Sequence, residues 1–421
     1  MTTIDDISRR VAHVVLACAI AFASLGAAAT PAAQAQANCE PDGQQASGAV
    51  YRICIPPAGA WNGDLVVYAH GYVAFNKPIA IPEDQLSIPG NPSIPNIVTG
   101  LGYAFATTSY SVNGLAVKEG MSDLLDVVSI FSAKHGQPNR IYLVGPSEGG
   151  LITTLSVEQH PDVYDGGMAA CGPIGDFRRQ INYWGDGRVL FDYFFPGVIP
   201  GSPVHIPQEV IDTWESVYIP RVENALHADP QALAQLLVTA RIPADPSDPD
   251  AGIKAVVDLL WYNVFATNDG IAKLGGQPYD NHRRIYIGSG NDLRLNRMVA
   301  RFQADSAALV EINAQYQTSG NLSTPLVTTH TLADHIVPYW HEPLYTRKII
   351  ANGDWALRTN LPSPHFGHCT FTVPELLVAF GILVFQVTGG ELQGVDRVLP
   401  DAQARVEYRA LLRAHQADLR R

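Results

Sequence analysis

A chain of 421 residues exceeds the roughly 250 to 300 over which a single core keeps growing, so it holds one large domain with an insertion or two domains. Apolar residues make up 47% of it and charged residues 16%, a balance that excludes wholesale disorder. The formal charge of −12 excludes the clustered cations that a nucleic-acid groove or an anionic membrane surface requires, so neither is an expected partner.

Taken in chain order, Arg9 and Arg10 precede an apolar run from Val11 to Ala29, and small residues follow up to Ala35-Gln36-Ala37. That is the layout of a secretory signal peptide over residues 1–37, cleaved after Ala37, and it implies a secreted or periplasmic protein. His13 interrupts the run and an Ala-rich cleavage region closes it, so no stable membrane anchor is expected. Cys18 leaves with the signal. Cys39, Cys54, Cys171 and Cys369 remain, an even number suited to two disulfides in an oxidising compartment, with no Cys-x-x-Cys metal spacing among them. Of the three pairings open to four cysteines, one joins Cys39 to Cys54 as a local staple.

Ala49 to Ile55 and Leu65 to Ala69 are short apolar runs bounded by turn residues and are expected as strands, the second buried on both faces. Asn96 to Leu101 ends a helix at Gly102, and Tyr103 to Thr108 is the next strand. Met121, Leu124, Leu125, Val128 and Phe131 recur at helical spacing across Gly120 to Lys134, closed by Gly136 and Pro138. A strand over Arg140 to Val144, an amphipathic helix over Leu151 to Glu158 and a strand-like stretch from Asp165 to Ala170 complete an α/β alternation. Residues 38–175 are thus the first part of a sheet domain. From Asp176 to Leu295 the alternation gives way to proline-rich and aromatic sequence, expected as a mostly helical cap over residues 176–295. The sheet domain resumes over residues 296–421, with a helix across Met298 to Tyr316, a strand at Leu326 to Thr329 and a final helix near Pro374 to Val387.

Gly145-x-Ser147-x-Gly149 lies between an expected strand and an expected helix, the setting of a nucleophile elbow. A sharp turn there exposes the serine hydroxyl at a helix N-terminus, where free amides favour developing negative charge. The serine needs a base, and the base needs a carboxylate to orient it. Asp334, just after the Leu326 to Thr329 strand, is the expected acid, with Asp305 and Asp354 as fallbacks that follow no strand. His368, on a loop beside Gly367, is the expected base, with His365 as its competitor. His330, His335 and His341 are expected as strand, loop or surface histidines. His70-Gly71 ends an early strand, so the amides of Tyr72 and Glu148 are the expected oxyanion donors, the Glu148 side chain being solvated or structural.

Tyr68-Ala69-His70-Gly71, Gly145 to Gly150, Asp334 to Pro338 and Gly367-His368-Cys369 together resemble the α/β-hydrolase superfamily, over most of the chain apart from the cap. Within it, the sequence is similar to secreted bacterial esterases and prolyl-oligopeptidase-like hydrolases. The resemblance implies an eight-stranded, mainly parallel sheet flanked by helices and a Ser-Asp-His triad that uses no cofactor and no metal. The cysteine after His368 departs from the pattern. Because Cys171 follows the stretch after the elbow helix, we expect a Cys171–Cys369 disulfide that pins the histidine loop. The expected activity is hydrolysis of small-molecule carboxylic esters through an acyl-enzyme. The alternatives are a serine peptidase and a non-catalytic binding protein on the same fold.

Overall fold

The computed structural model describes residues 37–88 and 90–419, so nearly all of the signal-peptide segment lies outside the described residues. Eight strands form one sheet: β1 Gly43–Gln44, β2 Val50–Cys54, β3 Leu65–Tyr68, β4 Ala104–Thr108, β5 Ile141–Pro146, β6 Gly166–Ala170, β7 Leu326–Ala333 and β8 Arg358–Phe366, in the order β1-β2-β4-β3-β5-β6-β7-β8. β2 runs antiparallel to β1 and β4, and every pairing from β4 through β8 is parallel. The α/β-hydrolase fold expected from the sequence is the fold observed.

The central strands are apolar throughout because both faces are covered. Leu65 and Val67 of β3 point into a core shared with α2 (Val117–His135) and α3 (Glu148–Gln159), whereas Val66 and Tyr68 point into a second core. That second core is built with α1 (Ile94–Gly100) and a later helix, Val373–Thr388.

Between β6 and β7 the chain forms helices α4 Phe177–Phe194, α5 Gln208–Asp212, α6 Ile219–Ala228, α7 Pro230–Ala240, α8 Ala251–Leu274, α9 Asp292–Met298 and α10 Ser306–Gln315. Most of them pack around a third apolar core of their own. The aromatic residues divide: Phe191, Trp214 and Tyr218 are buried in that core, while Trp184 and Tyr262 stay half-buried and stack on each other with ring centroids 4.9 Å apart.

Three expectations need correction. The helix expected across Met298 to Tyr316 is two helices, α9 and α10, separated by a pinned loop. Asn281 Oδ1 accepts from the Phe302 amide at 2.7 Å, and the Arg301 guanidinium donates to the Asn281 carbonyl at 2.9 Å. Asp305 then precedes the new helix with an extended backbone, its carboxylate accepting from the Gln277 amide at 2.8 Å. The strand at Leu326 continues past Thr329 to Ala333, and β8, unforeseen, pairs with it along its length. β8 alternates between buried and exposed residues and holds Pro362 and Pro364, which an edge strand tolerates because the outward amides need no partner. The helix near Pro374 is not the last. α11 (His341–Asn352) precedes it, and α12 (Val373–Thr388) is followed by α13 (Val395–Val398) and α14 (Ala402–Leu419).

Candidate active site

β5 runs into Ser147 and α3 leaves from it, with Ser147 held at φ 56° and ψ −123°, a conformation that costs an ordinary residue about 1–3 kcal/mol. Neighbouring glycines make the turn possible. A Cβ on Gly149 would strike the Ala69 carbonyl oxygen, and one on Gly145 would strike the Gly149 backbone. The Ser147 amide donates to the Ala170 carbonyl at 2.8 Å, fixing the turn to the end of β6.

Ser147, His368 and Asp334 meet in one hydrogen-bonded chain. His368 Nε2 lies 2.9 Å from Ser147 Oγ and His368 Nδ1 lies 2.7 Å from Asp334 Oδ2. Nδ1 faces a carboxylate and so carries the proton, which leaves Nε2 free to accept from the serine hydroxyl. The pairing of β7 with β8 explains how acid and base, 34 residues apart, become neighbours. Asp334 follows β7, His368 follows β8, and the Gly367 amide donates to the Ala333 carbonyl at 3.1 Å. Gly367 has φ 96°, a left-handed turn that lets the chain double back.

Asp334 is buried, its Oδ1 accepting from the amides of Ile336 at 2.8 Å and Val337 at 2.9 Å. Burial alone would raise its pKa, but His368 and His330 outweigh that and hold the carboxyl well below the usual carboxylate range. His330 is therefore more than a strand residue. Its Nε2 lies 2.7 Å from the Val337 carbonyl and 3.6 Å from Asp334 Oδ2, and its Nδ1 lies 3.3 Å from Glu342 Oε1. Both ring nitrogens thus face acceptors, which a neutral imidazole cannot satisfy, so His330 is an imidazolium. Burial opposes this charge, yet the bonds to Asp334 and Glu342 push its pKa up to about 10. Glu342 is itself paired with the Arg358 guanidinium and accepts from Thr328 Oγ1 at 2.8 Å. Charges of alternating sign run from Arg358 through Glu342 and His330 to Asp334. Neither Glu342 nor Arg358 carries a signal in the sequence, since each is defined by long-range contacts.

The loop after β3 lies beside the serine: a Cβ on Gly71 would stand 3.3 Å from Ser147 Cβ. Gln85 braces this loop, Oε1 accepting from the Gly71 amide at 2.7 Å and Nε2 donating to the Tyr72 carbonyl at 3.2 Å. The Tyr72 hydroxyl donates to the Phe265 carbonyl of α8 at 3.0 Å, tying the loop to the cap helix. The Glu148 carboxyl is buried rather than solvated, accepts from the Ala116 amide at 3.0 Å, and is pushed up to about 8 by desolvation. His70 is a buried neutral ring, stacked on Tyr110 at 3.8 Å, with Nδ1 2.7 Å from the Gly71 carbonyl and its pKa pushed down to about 4 by burial.

The competing candidates are engaged elsewhere. His365 pairs with Glu375 at 3.2 Å, His335 with Asp258 at 3.0 Å, and Asp354 accepts from the Leu322 amide at 3.0 Å. His341, fully buried, accepts on Nδ1 from the Gly175 amide at 3.0 Å and donates from Nε2 to Gln180 at 2.8 Å. It is a structural ring and not a surface histidine.

Among the described residues there are two disulfides, Cys39–Cys54 and Cys171–Cys369, the second with a Cα separation of 5.5 Å and its Cys369 adjoining His368. The sulfurs of Cys171 and Cys369 and the His368 ring atoms lie within 4.8 Å of one another, but sulfurs joined in a disulfide cannot serve as thiolate metal ligands. Disulfides fit an oxidising compartment. Among the described residues, no helix is long and apolar enough to cross a membrane.

An apolar cavity of about 80 Å³ opens at Ser147 and extends between α4 and α8. A separate cleft of about 440 Å³ carries His368, Asp258, Lys254 and His335 beside apolar residues such as Trp214, Trp261 and Ile336, and Tyr262 forms part of both walls.

Residues 96–183, which include the elbow, match the Prolyl oligopeptidase family. No curated protein matches the chain. Among solved structures, an acylaminoacyl peptidase in complex with Z-Gly-Gly-Phe-chloromethyl ketone is similar at 12% identity and TM-score 0.40, over 84% of this chain and 41% of that one. This chain therefore spans less than half the length of that peptidase. Candida antarctica lipase A is similar at 14% identity and TM-score 0.46, over 86% of this chain and 82% of that one. Feruloyl esterase B from Aspergillus oryzae is similar at 14% identity and TM-score 0.40, over 78% of this chain and 72% of that one. Both peptidases and ester hydrolases stand among these structures, and neither class is singled out. The sheet order is that of the α/β-hydrolase fold, with Ser147 on its strand-to-helix elbow, and residues 96–183 are similar to the Prolyl oligopeptidase family.

Proposed function

We propose that this protein is a secreted carboxylic ester hydrolase acting on small-molecule esters. The observation that carries the reading is the Ser147–His368–Asp334 hydrogen-bond chain at the mouth of an apolar cavity. Ser147 Oγ attacks the ester carbonyl while His368 Nε2 takes its proton, and Asp334 orients the imidazolium and offsets its charge. The oxyanion is stabilised by the amides of Glu148 and Tyr72, on the two loops that meet at the serine. His368 then gives its proton to the departing alcohol, and water releases the acyl group by the same steps in reverse order.

An ester asks less of such a site than an amide, because an alkoxide leaves more readily than an amine. The match to the Prolyl oligopeptidase family favours peptide hydrolysis as the second reading. The two are separated by catalytic efficiency on an unactivated alkyl ester and on an aminoacyl or prolyl amide of matched acyl group. The ester reading expects the ester to be preferred, with covalent labelling of Ser147 by a fluorophosphonate and no effect of chelators. Equal or greater efficiency on the amide would replace it with the peptidase.

A further inference from the structure

Ser147 lines the apolar cavity, His368 lines the second cleft, whose apolar walls carry Lys254, Asp258 and His335, and Tyr262 lines both. In an acyl-transfer reaction this division has a chemical meaning. The acyl group stays bonded to the serine, so it occupies the space on the serine's side. The leaving alcohol receives its proton from the histidine, so it departs on the histidine's side.

The serine-side cavity is bounded by one face of α8, where Tyr262, Ala266, Gly270 and Leu274 follow one another at four-residue intervals. The small members are in the middle of the row. Gly270 is buried, yet a Cβ built on it would meet nothing within 4 Å. A glycine in a helix interior is a poor choice for stability, and no neighbour crowds this one, so its lack of a side chain leaves the cavity open. From Tyr262 to Gly270 the helix advances about 12 Å. An extended hydrocarbon advances about 1.25 Å per carbon, from a bond near 1.52 Å at a near-tetrahedral angle, so roughly nine or ten carbons span that distance. On the histidine side, Asp258 is hydrogen-bonded to His335 at 3.0 Å and paired with Lys254. These groups suit hydroxyls.

Resting on the ester-hydrolase reading, we propose that the substrate is an ester of a medium-length, unbranched fatty acid with a hydroxyl-rich alcohol. The acyl chain lies along the α8 row and Gly270 sets the length accepted.

The test uses the full chain with p-nitrophenyl esters from acetyl to dodecanoyl, and with decanoate esterified to glycerol or to butanol. Wild type is expected to favour octanoyl and decanoyl over acetyl by at least about tenfold in kcat/KM, since each buried methylene adds to binding. Gly270→Phe should move the optimum to six carbons or fewer, lowering the ratio of decanoyl to acetyl kcat/KM by at least about tenfold, and Gly270→Leu, a milder filling, should give an intermediate shift. The glycerol ester should be preferred to the butyl ester. An unchanged chain-length profile in a Gly270→Phe protein that still turns over acetyl esters would overturn the acyl placement. Should Gly270→Phe fail to fold, an unchanged profile in Gly270→Leu would do the same. Preference for the butyl ester would overturn the alcohol assignment. A wild-type protein that labels with fluorophosphonate but cleaves no ester at all would instead bring down the ester-hydrolase reading beneath it.

Discussion

The elbow and the cap wall both hold a helical glycine, one beside Ser147 and one along the cavity that opens there, for opposite reasons. Gly149 in α3 is pressed against the carbonyls of Ala69 and His70, so any side chain there collides with the end of β3. Gly270 in α8 faces open cavity. The first glycine fixes atoms that react, where a displacement of about 1 Å can cost two powers of ten in rate. The second fixes a volume that the substrate fills. On the proposed function, catalytic geometry is set by backbone contact and specificity by its absence.

The largest effects are expected on the reacting side. Ser147→Ala, His368→Ala and Asp334→Asn should each lower kcat/KM by about four or more powers of ten without unfolding the protein. Asp305→Asn and Asp354→Asn should leave it nearly unchanged, because those carboxylates bind the amides of Gln277 and Leu322. Steady-state kinetics with circular dichroism decides this. Normal turnover by Asp334→Asn would remove it from the triad.

Opening the Cys171–Cys369 bridge, with both residues changed to serine, should cost up to about 5 kcal/mol in the chain-entropy account of a loop closed across 198 residues. Denaturant unfolding measures it. Activity should fall further than the stability loss explains, because the His368 loop loses its tether.

Gly149→Ala and Gly270→Ala sharpen the comparison directly. The first should destabilise by about 1–3 kcal/mol through overpacking and lower kcat by shifting the strand end that leads to Gly71 and Tyr72. The second should stabilise by about 0.5–1 kcal/mol through helix propensity alone. Equal effects in thermal unfolding would mean that the two sites do not differ as described.

Glu148 supplies a pH-dependent effect. Its folded-state pKa of about 8 lies above the ordinary 4.5 because burial penalises the charged form. The stabilisation from its neutral form is complete below about pH 4.5 and fades by up to about 1.4 kcal/mol per pH unit as pH rises to about 8. Glu148→Gln keeps an acceptor for the Ala116 amide and should flatten that part of the stability profile. An unchanged slope would show that another group titrates.

What the sequence disclosed follows from how local each feature is. The elbow was legible because Gly145, Ser147 and Gly149 lie within five residues, between a strand and a helix whose patterns are both clear. Asp334 could be proposed because it follows a legible strand, and His368 because it lies on a glycine loop ahead of a legible helix. β8 was not legible, because an edge strand needs only half its residues buried and Arg358 to Phe366 accordingly lacks an apolar run. The break between α9 and α10 escaped notice because distant residues, Asn281 and Gln277, hold that loop and no glycine or proline marks it. α14 did carry signals: Asp401 caps it, accepting from the Ala404 amide at 2.8 Å, and Ala404, Tyr408, Leu411 and Leu412 recur at helical spacing. The His330 imidazolium could be found only in three dimensions, because its charge follows from having acceptors at both nitrogens.

The separation of nucleophile and base along the chain bears on how the protein is made. Ser147 is synthesised 221 residues before His368, and Cys171 precedes its disulfide partner by 198. A growing chain that stops anywhere short of residue 368 thus has an elbow without the imidazole that faces it, and the tether for that imidazole closes only one residue later. Cys39 and Cys54, only 15 residues apart, can pair while most of the chain is still unmade. On the proposed function, a chain halted before residue 368 should show no ester hydrolysis, however well its elbow is folded.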